Sequence, residues 1–307
     1  MRKIISWAIL ALLISLGACY VIKHPANLAF LKHLSLKYFA IVSVITIFAC
    51  YVRSLLTKAY MDYFGLVLPP AEWIGLDSLV SLINHLPVYG GVLSKAFYLK
   101  KQYDFSYARF TSFLGAINLL SFFTLGAAGL ICIPMLHFGY GITSRTLVII
   151  FSCVTAIPSI IFFMPVNLNA KAGGNRVVKF VSDMVSQWNA LKKSGITVGK
   201  LILIQIAVYL VSSLKLYFIF LMLSLKAPFV SCFVITLVSS LAALVPITPA
   251  GMGLKEITAG ITAKILGISL VEGTMASIID RVITFFWVAI FGWAFVHFHV
   301  NRKAARV

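Results

Sequence analysis

Acidic side chains are scarce: the 307 residues hold 8 Asp+Glu against 26 Lys+Arg, and charges of both signs make up only 11%. Soluble domains carry about a quarter charged residues, so no part of the chain is polar enough for a separate water-facing domain. The five cysteines, Cys19, Cys50, Cys132, Cys153 and Cys232, lie inside apolar runs and never form a CxxC pair. Neither a disulfide framework nor a thiolate metal site is implied. HExxH, GxSxG and the Walker lysine loop are missing, which removes the best-marked hydrolase and nucleotide chemistries. Gly251 and Gly253 are no dinucleotide fingerprint, because no βαβ unit surrounds them. His297 and His299 have no third ligand near them and read as headgroup contacts rather than a metal pair. The expectation is no catalytic residue, no metal and no cofactor.

What the chain has in abundance is apolar length. It is 61% hydrophobic, with mean hydropathy +1.01. Apolar runs fall near 4–22, 39–57, 109–134, 143–165, 200–223, 229–246 and 273–298. Each is long enough to cross a hydrocarbon core of about 30 Å at about 1.5 Å per residue. Two further stretches, 76–99 and 250–267, are apolar but broken by Pro and Gly. The predicted fold is all-α: one polytopic integral membrane domain over 1–307, a helical bundle in which two segments are broken. The formal charge of +18 sits mostly in short loops. It therefore signals topology and anionic headgroups, not nucleic acid.

The N-terminus allows two readings. Arg2-Lys3, an apolar run and Leu16-Gly17-Ala18-Cys19 resemble a lipoprotein signal, but Tyr20-Val21-Ile22 continues the apolar run and favours a retained first helix. The Lys/Arg-rich regions 53–109 and 166–200 belong in the cytoplasm, and the 135–144 connection outside, if 76–99 dips in and returns. The tail with Arg302, Lys303 and Arg306 prefers the inside. Within 166–200, Val177, Val181, Met184, Trp188 and Leu191 recur at helical spacing. They mark either a surface helix anchored by Trp188 or a helix capping the bundle.

The two broken stretches are alike. The first reads Asn84-His85-Leu86-Pro87-Val88-Tyr89-Gly90-Gly91, then Lys95; the second reads Pro246-Ile-Thr-Pro249-Ala-Gly251-Met-Gly253, then Lys255-Glu256. Matched Pro/Gly interruptions in two halves of a membrane protein point to a substrate site. A helix that restarts after such a break offers free backbone N–H groups to an anion. Lys215 and Arg281 lie deep within apolar runs, and intramembrane charges are functional candidates. Arg53, nearer a helix end, reads as snorkelling to the headgroups. Glu256 reads either as a proton carrier or as a partner of Lys255 or Arg281, and Arg281 as paired with Asp280 or Glu256. The candidate binding set is Asn84, Pro87, Gly90, Lys95, Lys215, Pro249, Gly251, Gly253, Glu256 and Arg281.

The Pro-x-x-Pro-x-Gly-x-Gly-x-x-Glu run, Leu266-Gly267, Arg281, Arg53 and Asn84-x-x-Pro87-x-x-Gly90 with Lys95 together resemble the flippase-like domain family. Its best-known member is the membrane domain of lysylphosphatidylglycerol synthase, the multiple peptide resistance factor. The resemblance spans nearly the whole chain. It implies a bundle of about eight helices with re-entrant segments that moves an anionic lipid, either a phospholipid or a polyprenyl-phosphate-linked lipid, between leaflets of a bacterial inner membrane. The chain departs from the family pattern at Gly91 and Lys95, and again at Gly115-Ala-Ile-Asn118. Because the sequence stops at Val307, the synthase domain is not expected. A lipid transporter is therefore favoured over an enzyme. The alternatives are a membrane subunit assisting a separately encoded glycosyl- or aminoacyl-transferase, and a membrane-embedded lipid transferase using Glu256 or Asp280 as base.

Overall fold

The computed structural model describes residues 35–85, 90–163, 186–244 and 251–300, and all regular structure among them is helical. In chain order α1 is Leu36–Tyr63, α2 Pro70–Ile83, α3 Gly90–Tyr103, α4 Tyr107–Tyr140 and α5 Arg145–Phe163. A helical segment 186–193 follows. Then come α6 Gly195–Met222, α7 Phe229–Leu244, α8 Leu254–Ile265 and α9 Leu270–Phe295, whose last turn widens into a π-type Val296–Val300. Among the described residues four helical stretches are long and apolar enough to span a membrane: Leu36–Tyr63, Arg109–Tyr140, Gly195–Met222 and Leu270–Phe298. The shorter apolar helices Arg145–Ile160 and Phe229–Leu244 accompany them. This is an all-α, multi-pass membrane protein. The signal-like reading of 4–22 and the 302–306 tail lie outside the described residues, as do Val177, Val181 and Met184.

Both broken stretches become helical hairpins. The first joins α2 to α3, each 14 residues long. At about 1.5 Å per residue each arm reaches about 21 Å, short of the roughly 30 Å needed to cross. The second joins α7 to the 12-residue α8. In each hairpin the arms pack on one another. Pro70 at the start of α2 supplies a preset φ and no surplus N–H.

Helix α9 organises the assembly because its two faces differ. Gly273, Ala276, Asp280 and Ile283 are buried, spaced by three and four. Val282, Phe286, Ile290 and Trp293 form an exposed apolar stripe. A helix with one inward face and one apolar outward face fits a bundle solvated by acyl chains. Towards its start α9 packs on α8, where Gly260 and Gly273 bring the backbones together: a Cβ at Gly273 would lie 3.1 Å from the Ala259 carbonyl and 3.1 Å from Gly260 Cα. Towards its end it packs on α2, where a Cβ at Gly292 would lie 3.3 Å from Leu79 Cα. One helix thus touches both hairpins.

Two apolar cores flank this spine. One gathers Phe151, Ile219, Phe220, Val234, Ile235, Ala259, Ala263 and Ile283. The other gathers Met61, Trp73, Leu76, Leu99, Phe113, Trp188, Leu191 and Phe295. Trp188, proposed as an interface anchor, is 2% exposed and belongs to that second core. The Lys192 ammonium lies 5.7 Å from the indole centroid.

The close α8–α9 approach predicts that Gly273→Leu lowers the thermal unfolding midpoint in detergent, with a cost of about 1–3 kcal/mol for overpacking. Gly139→Leu, where a Cβ meets nothing within 4 Å, is expected to leave the midpoint unchanged.

Candidate functional site

Among the described residues, Asp77, Glu256 and Asp280 are drawn inside, and the charges they hold define the site. Asp280 faces inward on α9 and meets two ammonium groups: Lys215 Nζ of α6 lies 2.5 Å from Oδ1, and Lys255 Nζ of α8 donates to Oδ2 at 2.9 Å. Lys215 also donates to Thr284 Oγ1 at 2.8 Å. The next residue, Arg281, donates through Nε to Glu256 Oε1 of α8 and through Nη2 to the Gly251 carbonyl at 3.4 Å. Of the sequence readings for Glu256, the partner of Arg281 is the one observed.

The first hairpin carries a second charge group. Asp77 of α2 accepts a hydrogen bond from Thr57 Oγ1 at 3.0 Å, and its oxygens lie 3.5 Å from Lys95 Nζ and 3.7 Å from Arg53 Nε. Lys95, buried on α3, donates to Thr57 Oγ1 at 2.7 Å and sits 5.0 Å over the Tyr60 ring. The Arg53 side chain is 56% exposed, and its guanidinium reaches Asp77.

The two groups approach one another where α2 packs on α9: His85, at the end of α2, packs edge-on against Phe285 of α9 at 5.3 Å. Among the described residues, five cations, Arg53, Lys95, Lys215, Lys255 and Arg281, pair with three carboxylates, Asp77, Glu256 and Asp280. Uncompensated cations in a low-dielectric interior are costly, and an anion entering that interior would offset the excess.

The helix-end amides differ from expectation. Gly91 N donates to Asn84 Oδ1 at 2.9 Å, and Gly253 N donates to Glu256 Oε2 at 2.7 Å. One N–H at each break is thus claimed by a side chain of the chain itself, which spares a buried amide from standing unpaired. Gly251 and Gly253 have φ of 66° and 78°, a left-handed backbone that favours glycine. Gly91 is needed for proximity, since a Cβ there would lie 2.7 Å from Asn84 Cγ. Gly90 opens α3. Pro87 and Pro249 lie outside the described residues.

Sequence reasoning missed Asp77, Thr57 and Thr284 as site members, and named Lys255 only as a neighbour and partner of Glu256. Asp77 had a usable signal: an acid within an apolar run, in a chain with only 8 acids. The threonines had none, since mid-helix threonines usually bond the preceding turn. Also missed was Glu72, 1% exposed, which accepts a hydrogen bond from the Tyr98 hydroxyl between α2 and α3.

A family model for the lysylphosphatidylglycerol synthase TM region matches residues 8–292. No curated protein and no solved structure matches the chain.

Because Asp280 holds two lysines, Asp280→Asn is expected to destabilise the fold strongly, by about 3–5 kcal/mol, as when one partner of a buried pair is removed. Adding Lys215→Met to that variant should recover part of the loss. Thermal unfolding in detergent checks both.

Proposed function

The chain belongs to the lysylphosphatidylglycerol synthase TM region family, and from that premise we propose that it moves an anionic lipid between leaflets. The observation that carries this reading is that, among the described residues, three cations, Lys215, Lys255 and Arg281, meet two carboxylates, Asp280 and Glu256, where α9 packs on α6 and α8. A lipid phosphate carries the charge that this group lacks. Its tails need no polar path and can stay among acyl chains, while the headgroup exchanges partners with the carboxylates. Lys215, Lys255 and Arg281 would leave Asp280 and Glu256 for phosphate oxygens, and Lys95 would do the same on the first hairpin. Asn84, Pro87, Gly90, Pro249, Gly251 and Gly253 would shape the breaks at which the hairpins part. Arginine suits this role, since its planar fork matches phosphate geometry. Phospholipids and polyprenyl-phosphate lipids share the chemistry, and on this reading the setting is a bacterial cytoplasmic membrane.

A second reading has one support, the word synthase in the family's name. The chain would then serve as the membrane subunit of a separately encoded lipid-modifying transferase. Chemistry by the chain itself has less to draw on. Asp77, Glu256 and Asp280 are each already engaged by a cation.

In liposomes containing headgroup-labelled anionic phospholipid or polyprenyl-phosphate lipid, the wild-type chain is expected to accelerate leaflet exchange. Lys215→Gln and Arg281→Gln should each slow it about tenfold or more, the worth of one charge-assisted hydrogen bond. Wild-type exchange no faster than in empty liposomes, for both lipid classes, overturns the reading. Silent charge variants combined with a deletion phenotype would favour the subunit reading.

A further inference from the structure

Away from the charge cluster, α1 and α6 part to leave a groove of about 550 Å³ lined by Leu55, Lys58, Ala59, Gly199, Lys200 and Leu203, among others. That volume is in the range of small-molecule sites, about 300–1,000 Å³. The gap has a local cause: Ala59 on one wall is small, and Gly199 on the other has no side chain, its absent Cβ meeting nothing within 4 Å. The groove is open laterally, because Ile196 is 90% and Leu203 69% exposed. Both walls belong to helices long and apolar enough to span a membrane, so that open side faces acyl chains. Two exposed lysines, Lys58 and Lys200, stand in it against apolar walls. The nearest carboxylate, Asp62, stays 3.8 Å from Lys200 Nζ, and an exposed pair of that kind holds its lysine only weakly.

We propose that this groove binds an anionic glycerophospholipid, its phosphate held by Lys58 and Lys200 and an acyl chain lying along Leu203 and Ile204. Apolar walls exclude a free inorganic anion as the natural occupant. Two ammonium groups discriminate against zwitterionic headgroups, whose own cation would be repelled. Both lysines belong to the Lys/Arg-rich regions that the positive-inside pattern assigns to the cytoplasm, where anionic lipid is attracted by juxtamembrane basic residues. The site shares no residue with the charge cluster, and it is tested by lipid retention, not by leaflet exchange.

The full chain is extracted with detergent from bilayers of equal phosphatidylglycerol and phosphatidylcholine, and retained lipid is counted by native mass spectrometry. Wild type is expected to keep phosphatidylglycerol in preference. Lys58→Gln and Lys200→Gln should each cut that preference about fivefold, the worth of one basic residue near an anionic surface. Lys193→Gln, also exposed, should leave it unchanged. Gly199→Phe should fill the groove and remove the retained lipid with no fall in thermal midpoint. Equal retention of the two lipids by wild type overturns the proposal. So does a loss in Lys193→Gln matching that in the groove variants, or a lipid-free dimer seated on this face. Should Gly199→Phe fail to fold, the lysine variants decide alone.

Discussion

A charge inside a membrane protein must be answered by a charge of the other sign, and in this chain the answer is concentrated on two consecutive residues of α9. Successive side chains on a helix point about 100° apart, so Asp280 and Arg281 reach different neighbours. Asp280 takes lysines from α6 and α8, while Arg281 takes a carboxylate from α8. Three helices are thereby fixed in relative position at one level. The same α8 residue that answers Arg281 also caps its own helix through Gly253 N. Charge pairing and helix initiation are thus one arrangement, and disturbing either would move the other.

The two hairpins solve the same problem differently. In the first, the two arms supply opposite charges, Asp77 from α2 and Lys95 from α3, and α1 adds Thr57 and Arg53. In the second, one arm supplies both signs as neighbours, Lys255 and Glu256, and each finds its partner on α9. Close approach is bought in both cases with missing side chains: Gly91 beneath Asn84, and Gly260 and Gly273 between α8 and α9. In lipid, where burial against another helix gains no hydrophobic free energy over burial against acyl chains, small residues and polar contacts are the main means of association.

Hydropathy made the long helices legible, because about thirty ångströms of hydrocarbon demands about twenty apolar residues and leaves a plain trace. The spans near 39–57, 200–223 and 273–298 appear as α1, α6 and α9, each extended at one or both ends by residues that pack or cap. The breaks were legible too, since Pro and Gly punctuate a helix wherever it lies. Pairing was not. Whether Arg281 would meet Asp280 or Glu256 depends on where α8 sits, and that is a tertiary fact. Asp77 escaped notice because its partners lie 24 residues before it at Arg53 and 18 after it at Lys95, beyond any local pattern. The capped amides escaped for a related reason. Sequence identifies which N–H groups a helix leaves free, but only the fold decides which side chain claims them.

Replacing a buried ion-pair network with packed apolar residues is often neutral or stabilising. The ion pairs that position α6, α8 and α9 therefore do so at a cost that packed apolar residues would not carry. Helix α1 ties the site to the surface. Thr57, which bridges Lys95 and Asp77, is followed at once by Lys58, which lines the outer groove. Neighbouring residues on a helix face different directions, so one turn of α1 presents a polar contact to the interior and an ammonium group to the bilayer. A phosphate drawn to Lys58 would stand next along α1 to the Thr57–Lys95 contact. Passage from one to the other would then require α1 to move relative to α2 and α6, and the weak, partly exposed contacts Arg53–Asp77 and Lys200–Asp62 are the ones such a motion would break at least cost.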